Sequence, residues 1–166
     1  EKLPAEYGIV MRNKENVFAY FGWPSIAKLD DGRLMAVASG LRLDHVDTYG
    51  KTIAVFSKND GKTWGPMTII NDTPLDDRDA GVINMGNHKI GVTWFTISCD
   101  MQRECTQWRD PNDPTRKMIL DYLETVSPEQ EEKYLGSLVR VSEDGGDTWG
   151  EIKKAPVTAP HGFIML

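Results

Sequence analysis

The chain has 166 residues, the size of one ordinary domain, and 40% of them are hydrophobic, enough to build a core. It carries 19 Lys and Arg against 25 Asp and Glu, and this net charge of −6 argues against nucleic-acid binding. Because no apolar run approaches the roughly 18 residues that span a bilayer, membrane insertion is not expected either.

The first part of the chain predicts four antiparallel strands. Residues 25–29 and 33–38 are largely apolar segments on either side of Asp30-Asp31-Gly32, a hairpin turn signal. A third strand at 52–56 leads into Ser-Lys-Asn-Asp-Gly-Lys-Thr-Trp at 57–64, and a further extended segment follows. These segments form a first unit covering roughly residues 22–76.

The same order of elements returns in the second part. Residues 80–84 and 89–95 predict a hairpin, 138–141 predict a strand, and Ser-Glu-Asp-Gly-Gly-Asp-Thr-Trp at 142–149 repeats the earlier turn. The second unit covers about 77–158. A third unit begins within residues 159–166.

An insertion of about residues 97–134 separates the second and third strands of the second unit. Asp113-Pro114 reads as a helix N-cap and first helical residue, and a second helix is expected after Ser127-Pro128. The first of these helices is supported by apolar residues at helical spacing after Pro114, namely Met118, Ile119, Tyr122, Leu123 and Val126.

The cysteines and histidines do not suggest a cofactor. Cys99 and Cys105 are close enough in sequence for a local disulfide, or they are two free thiols. The three histidines are scattered without metal-ligand spacing, so neither a metal nor a cofactor is expected.

Four-stranded units repeated in series predict the blades of a β-propeller, an all-β fold. Known propellers close with about four to eight blades, whereas two blades and the start of a third are predicted here. The chain is therefore expected to be a partial propeller. Open blade edges would favour self-association.

The pattern Ser-x-Asp-x-Gly-x-Thr-Trp resembles the Asp-box, or BNR repeat, of the sialidase (neuraminidase) superfamily. Residues 142–149 match every fixed position, and residues 57–64 depart only at Asn59. Phe21-Gly22-Trp23-Pro24 lies where sialidases carry Phe/Tyr-Arg-Ile-Pro. Over about residues 20–166, the resemblance implies a six-bladed propeller and a secreted, periplasmic or cell-surface exo-glycosidase acting on a glycan.

Gly22 is the main departure from the sialidase pattern. The resemblance implies an Arg there that binds the sialic acid carboxylate, so the substrate is expected to differ from sialic acid. The nucleophile of the family would lie in later blades, beyond Leu166. The alternative is a non-catalytic Asp-box propeller that binds glycan or protein.

Because neighbouring strands run in opposite directions, successive connections alternate between the two ends of each unit. The Asp-boxes therefore lie at one end and the long connections at the other, where a scaffold presents a site. The first of these connections holds Arg42, Asp44, His45 and Asp47. The resemblance implies an Arg followed by an acid/base Asp here, so Arg42 and His45 are candidate substrate contacts. Asp47 or Asp44 is the candidate acid, and spacing does not choose between them.

Three further residues are candidate substrate contacts. Arg78 and Asp79 enter the first strand of the second unit, and His161 enters the third unit at the corresponding place. A guanidinium suits a carboxylate or hydroxyl groups, and an imidazole can carry a proton. The competing interpretations are an Asp–Arg brace between blades and a structural histidine. Trp23 and Tyr49 are candidates for stacking on a sugar ring, and core packing is the alternative for Trp23.

Overall fold

The computed structural model describes residues 4–157 and Gly162, and its core is two four-stranded antiparallel sheets that follow one another along the chain. The predicted all-β fold with two such sheets is confirmed. In each sheet the spatial order of the strands is their order in sequence. The first sheet contains β1 (Tyr20–Lys28), β2 (Leu34–Arg42), β3 (Lys51–Ser57) and β4 (Thr68–Asn71).

The second sheet repeats this arrangement with one long interruption. Its first two strands form a hairpin, and the insertion then separates them from the last two. The strands are β5 (Arg78–Gly86), β6 (Lys89–Thr96), β7 (Gly136–Ser142) and β8 (Lys153–Lys154). The start of a third unit that the sequence predicts at 159–166 lies outside the described residues, apart from Gly162.

The hydrophobic core lies between the two sheets. Alternating strand residues direct apolar side chains such as Met35 and Val37 toward Val82 and Val92 of the second sheet. All four are under 10% exposed. Each side chain of this kind contributes about 1.5–3 kcal/mol to the free energy of folding when it is buried. Packing of the two sheets is therefore a main source of stability.

The two Asp-box turns share one hydrogen-bond pattern. Ser142 Oγ accepts from the Gly146 amide at 2.8 Å, and Asp144 Oδ1 accepts from the Thr148 amide at 2.9 Å. In the other turn, the Ser57 hydroxyl accepts a hydrogen bond from the Gly61 amide at 2.9 Å. The Asn59 side chain accepts one from the Thr63 amide, also at 2.9 Å. An amide oxygen therefore replaces a carboxylate oxygen without changing the turn.

Three helices form the insertion. The two predicted N-caps are present: the Asp113 side chain accepts from Thr115 N, and the Ser127 side chain from Gln130 N. A third helix, capped by Ser98, was not expected from the sequence, where no helix was placed before residue 113. The helices are α1 (Cys99–Thr106), α2 (Pro114–Leu123) and α3 (Pro128–Tyr134).

The insertion packs on the sheet connections through a small core of its own. Leu75, Cys99, Ile119 and Leu123 are its buried members. Of the two alternatives for the cysteines, the structure has free thiols. Within the described residues, no helix is long and apolar enough to cross a membrane.

Candidate functional site

The long connections gather at one end of the two sheets, which we call the loop end, and the Asp-boxes lie at the opposite turn end. Hydrogen bonds join the insertion to the sheet connections: Tyr49 Oη donates to Met118 O at 3.2 Å, and Tyr122 Oη to Pro74 O at 3.4 Å. Arg109 Nη2 donates to Val46 O at 3.3 Å. The loop end is thus one continuous packed surface.

Arg42 lies beneath this surface with no exposed side chain. Its guanidinium is 2.7 Å from Asp76, which is equally buried, and donates to Ser39 Oγ at 2.6 Å. Further donations reach the carbonyl oxygens of Asp44 at 3.2 Å and His45 at 2.9 Å. A direct substrate contact by Arg42 does not fit this burial, because all three guanidinium nitrogens already donate to groups of the protein.

Asp76 also binds the second predicted arginine. Arg78 Nη1 lies 3.0 Å from Asp76 Oδ2 and donates to the His45 carbonyl at 2.8 Å. The Asp76–Arg78 pair lies within one short segment of the chain, and Asp76 joins it to Arg42 of the first sheet. Arg78 is 7% exposed, and its Nη2 lies 3.4 Å from His45 Nε2, so the imidazole covers part of the guanidinium.

The structure separates the two candidate acids. Asp47 is 1% exposed and accepts hydrogen bonds from the Leu43 amide and, at 3.0 Å, from the Tyr49 amide. Burial raises the pKa of Asp47, and both of its oxygens accept hydrogen bonds from the backbone. The Asp44 side chain is 57% exposed and 3.6 Å from Arg109. Its Oδ1 accepts from the His45 amide at 2.6 Å, and of the two carboxyl groups that of Asp44 is the exposed one.

A second buried carboxyl supports the connection between the sheets. Asp77 is fully buried and accepts from the Thr73 amide at 3.0 Å and from its hydroxyl at 2.7 Å. Burial raises the pKa of Asp77 to about 7, and the neighbouring Asp76 charge adds to the effect. The carboxyl fixes segment 73–77 rather than facing a ligand.

The remaining predicted residues are placed differently. Asp79 follows Arg78 in β5 with φ of 51° and is partly exposed. His161 lies outside the described residues, so its role stays a prediction. Among the residues that the structure describes, no group of three His, Cys, Asp or Glu side chains could hold a metal ion.

Three residues outside the predicted substrate contacts help to organise the loop end, and of these the sequence suggested a role only for Trp23. Asp76 joins two arginines, Arg109 brings the insertion to Asp44, and the Trp23 ring lies 4.9 Å from that of His45. The sequence signal for Asp76 was the run Asp76-Asp77-Arg78-Asp79 itself. Arg109 carried no such signal.

Comparisons with known proteins support the fold. Neither a family model nor a curated protein matches the chain. A structure of a protein of unknown function from Dyadobacter fermentans matches with a TM-score of 0.55 and 21% identity, over 86% of this chain and 38% of that one. The intramolecular trans-sialidase from Ruminococcus gnavus matches with a TM-score of 0.52 and 11% identity, over 81% and 48%.

A Hadza microbial sialidase matches with a TM-score of 0.50 and 19% identity, over 80% of this chain and 25% of that one. The chain thus spans less than half the length of each of these three structures. At such identities the likeness concerns architecture alone. The chain has a sialidase-like, all-β fold.

Proposed function

We propose that the loop end is the carbohydrate-binding end of a sialidase-like exo-glycosidase built on a β-propeller. The two sheets are then two of its blades, with bounds of about 22–76 and 77–158. The fold similarity and the paired Asp-box turns support this interpretation, and so does the gathering of polar residues at one end. The observation that carries the proposal is the exposed Asp44 carboxylate on a loop held rigidly from below.

Asp44 is the proposed acid/base residue. Glycoside hydrolysis needs a carboxyl beside the leaving oxygen, able to give a proton and later take one back from water. Asp44 lies on the surface of the loop end, and Arg42 and Arg78 hold the carbonyls of residues 44 and 45. Asp47 then has a supporting role, since its carboxyl fixes the turn of the same loop.

Substrate contacts are proposed for His45, Arg78, Asp79 and His161. His45 and Arg78 touch one another, and Asp79 lies beside Arg78 in the chain. Arg42 is better described as a positioning residue, because it acts on the loop backbone and not on the ligand.

The test is hydrolysis of a panel of aryl glycosides by the full-length protein and by Asp44→Asn. An acid/base residue contributes about 10²–10⁴-fold, so the variant should lose kcat by that factor for glycosides with poor leaving groups. The matched control is Asp60→Asn, an exposed aspartate of the turn end, which should keep full activity. Unchanged turnover in Asp44→Asn would exclude the assignment.

A second function has one observation in its favour. Arg42 and Asp47, the predicted arginine and one of the two candidate acids, are both consumed by internal contacts. A non-catalytic propeller that binds a glycan or a protein would tolerate this arrangement. If the wild-type protein binds glycans and hydrolyses none of the panel, this second function replaces the first.

A further inference from the structure

Trp23 has a backbone conformation that its side chain disfavours. Its φ of 53° lies in the left-handed region, which is unusual for a bulky residue. The pairing of β1 with β2 is irregular on both sides of Gly22, between Tyr20 and Gly22 and between Gly22 and Ser25. Such bulges re-aim side chains, and strained residues concentrate at ligand sites.

The redirected indole lies over the polar residues of the loop end. The guanidinium carbons of Arg42 and Arg78 are 5.3 and 5.0 Å from its ring centroid, and the His45 ring centroid is 4.9 Å away. The Tyr20 ring is 6.1 Å away on the strand side. Trp23 remains partly exposed, so it forms an aromatic surface beside His45, the residue that follows Asp44.

The two guanidiniums that lie near this ring are already paired with a carboxylate inside the protein. Asp76 binds both Arg42 and Arg78, at 2.7 and 3.0 Å. Arg109 lies between Asp44 and Asp113, at 3.6 and 3.9 Å. An anionic ligand would have to compete with these carboxylates for guanidinium hydrogen bonds.

The charge balance at the loop end points the same way. In the described chain, the ion pairs of the loop end join three arginines (Arg42, Arg78 and Arg109) to three aspartates (Asp44, Asp76 and Asp113). These carboxylates match the three guanidiniums in number, so the ion pairs at this end leave no excess of positive charge. Lys51 at the same end contacts Asp72.

We propose that the ligand of the loop end is an uncharged sugar residue that stacks on Trp23. A pyranose ring has an apolar C–H face that an indole can cover, and its hydroxyls donate to carboxylates and imidazole nitrogen. Asp44 and His45 are the accessible groups that accept these hydroxyls. The inference rests on the proposed function only in taking the loop end as the carbohydrate site.

The experiment measures binding by the full-length protein, by calorimetric titration. The neutral probes are 4-methylumbelliferyl glycosides of galactose, glucose, mannose, fucose and N-acetylglucosamine, and the anionic probes are those of glucuronic acid and sialic acid. At least one neutral glycoside should bind, and each anionic one should bind at least about tenfold more weakly. Trp23→Ala should weaken neutral binding by about tenfold, and Trp23→Phe by less.

Two further variants serve as controls. The first tests whether loss of any exposed indole weakens binding, and the second tests the effect of an added positive charge beside Trp23. Trp108→Ala removes an exposed indole from the insertion, 87% exposed, and should leave binding unchanged. Gly22→Arg adds a cation beside an intact Trp23, with only the Tyr20 ring 3.2 Å from the new Cβ, and should improve anionic binding.

Three results would overturn the inference: tighter binding of an anionic glycoside by the wild type, unchanged neutral binding in Trp23→Ala, or no binding of any probe. Neutral binding without hydrolysis would remove the proposed catalysis and leave this inference standing.

Discussion

Gly50→Ala tests the buried ion pair with the addition of a single methyl group. A Cβ at residue 50 would lie 2.1 Å from Arg42 Nη1 and 2.7 Å from Asp76 Oδ1, where ordinary contacts begin at 3.4 Å. The guanidinium would have to retreat by more than an ångström. It has no exposed side and is bonded to Asp76 and Ser39, so the movement must break these contacts.

The expected loss of stability follows from two opposing effects. Breaking a buried ion pair costs about 3–5 kcal/mol, and replacing glycine by alanine returns about 0.4–1 kcal/mol by restricting the unfolded chain. Gly50→Ala should therefore destabilise by about 3 kcal/mol, measured as a lower midpoint of urea unfolding at unchanged slope. Gly8→Ala, with nothing within 4 Å of its Cβ, is the control. A loss below about 1 kcal/mol in Gly50→Ala would refute the rigid pair.

Two predictions concern pH. Between pH 3.8 and about 7, the unfolded chain releases the Asp77 proton while the folded chain keeps it. The protonated carboxyl therefore stabilises the fold fully at low pH, and this contribution is lost as the pH rises toward 7. The free energy of unfolding of Asp77→Asn, measured with urea and compared with that of the wild type, should rise from about pH 4 to about pH 7. If the difference between the two proteins stays constant over this range, burial does not raise the pKa of Asp77 as described. At Asp144 the sign is opposite: hydrogen bonds from Thr148 and Ser142 lower its pKa to about 2, so its stabilisation exists above pH 3.8 and is lost as pH falls toward 2. Asp144→Asn, which copies Asn59 of the other turn, should remove that acid dependence in thermal unfolding between pH 4 and 2.

The sheets were predictable because local rules act there without competition. Alternating apolar residues and the Asp-box turns indicated both sheets, and Asp113 and Ser127 marked two helix starts. Helix α1 was missed because its buried positions include Gln102 and Thr106, which give no apolar period. The Ser98 cap was its only signal.

The site was less predictable because its contacts join residues far apart in sequence. Arg42 stood in the expected loop, but its burial depends on Asp76, 34 positions later and between the two sheets. Backbone amides of the loop donate to both Asp44 and Asp47, so the choice between them depends on burial, which is nearly complete for Asp47 and slight for Asp44. Spacing alone carries no information about either contact.

Stability alone does not explain the charges beneath the loop end. Replacing a buried ion pair by well-packed apolar residues is often neutral or stabilising, so Arg42, Asp76 and Arg78 need another reason to be there. Their hydrogen bonds supply one, because the two guanidiniums hold the carbonyls of Asp44 and His45 from below. A rigid loop presents its exposed side chains in one orientation, which a binding site requires. Arg42 therefore acts as an internal support, while Arg78 combines this support with its proposed contact to the ligand.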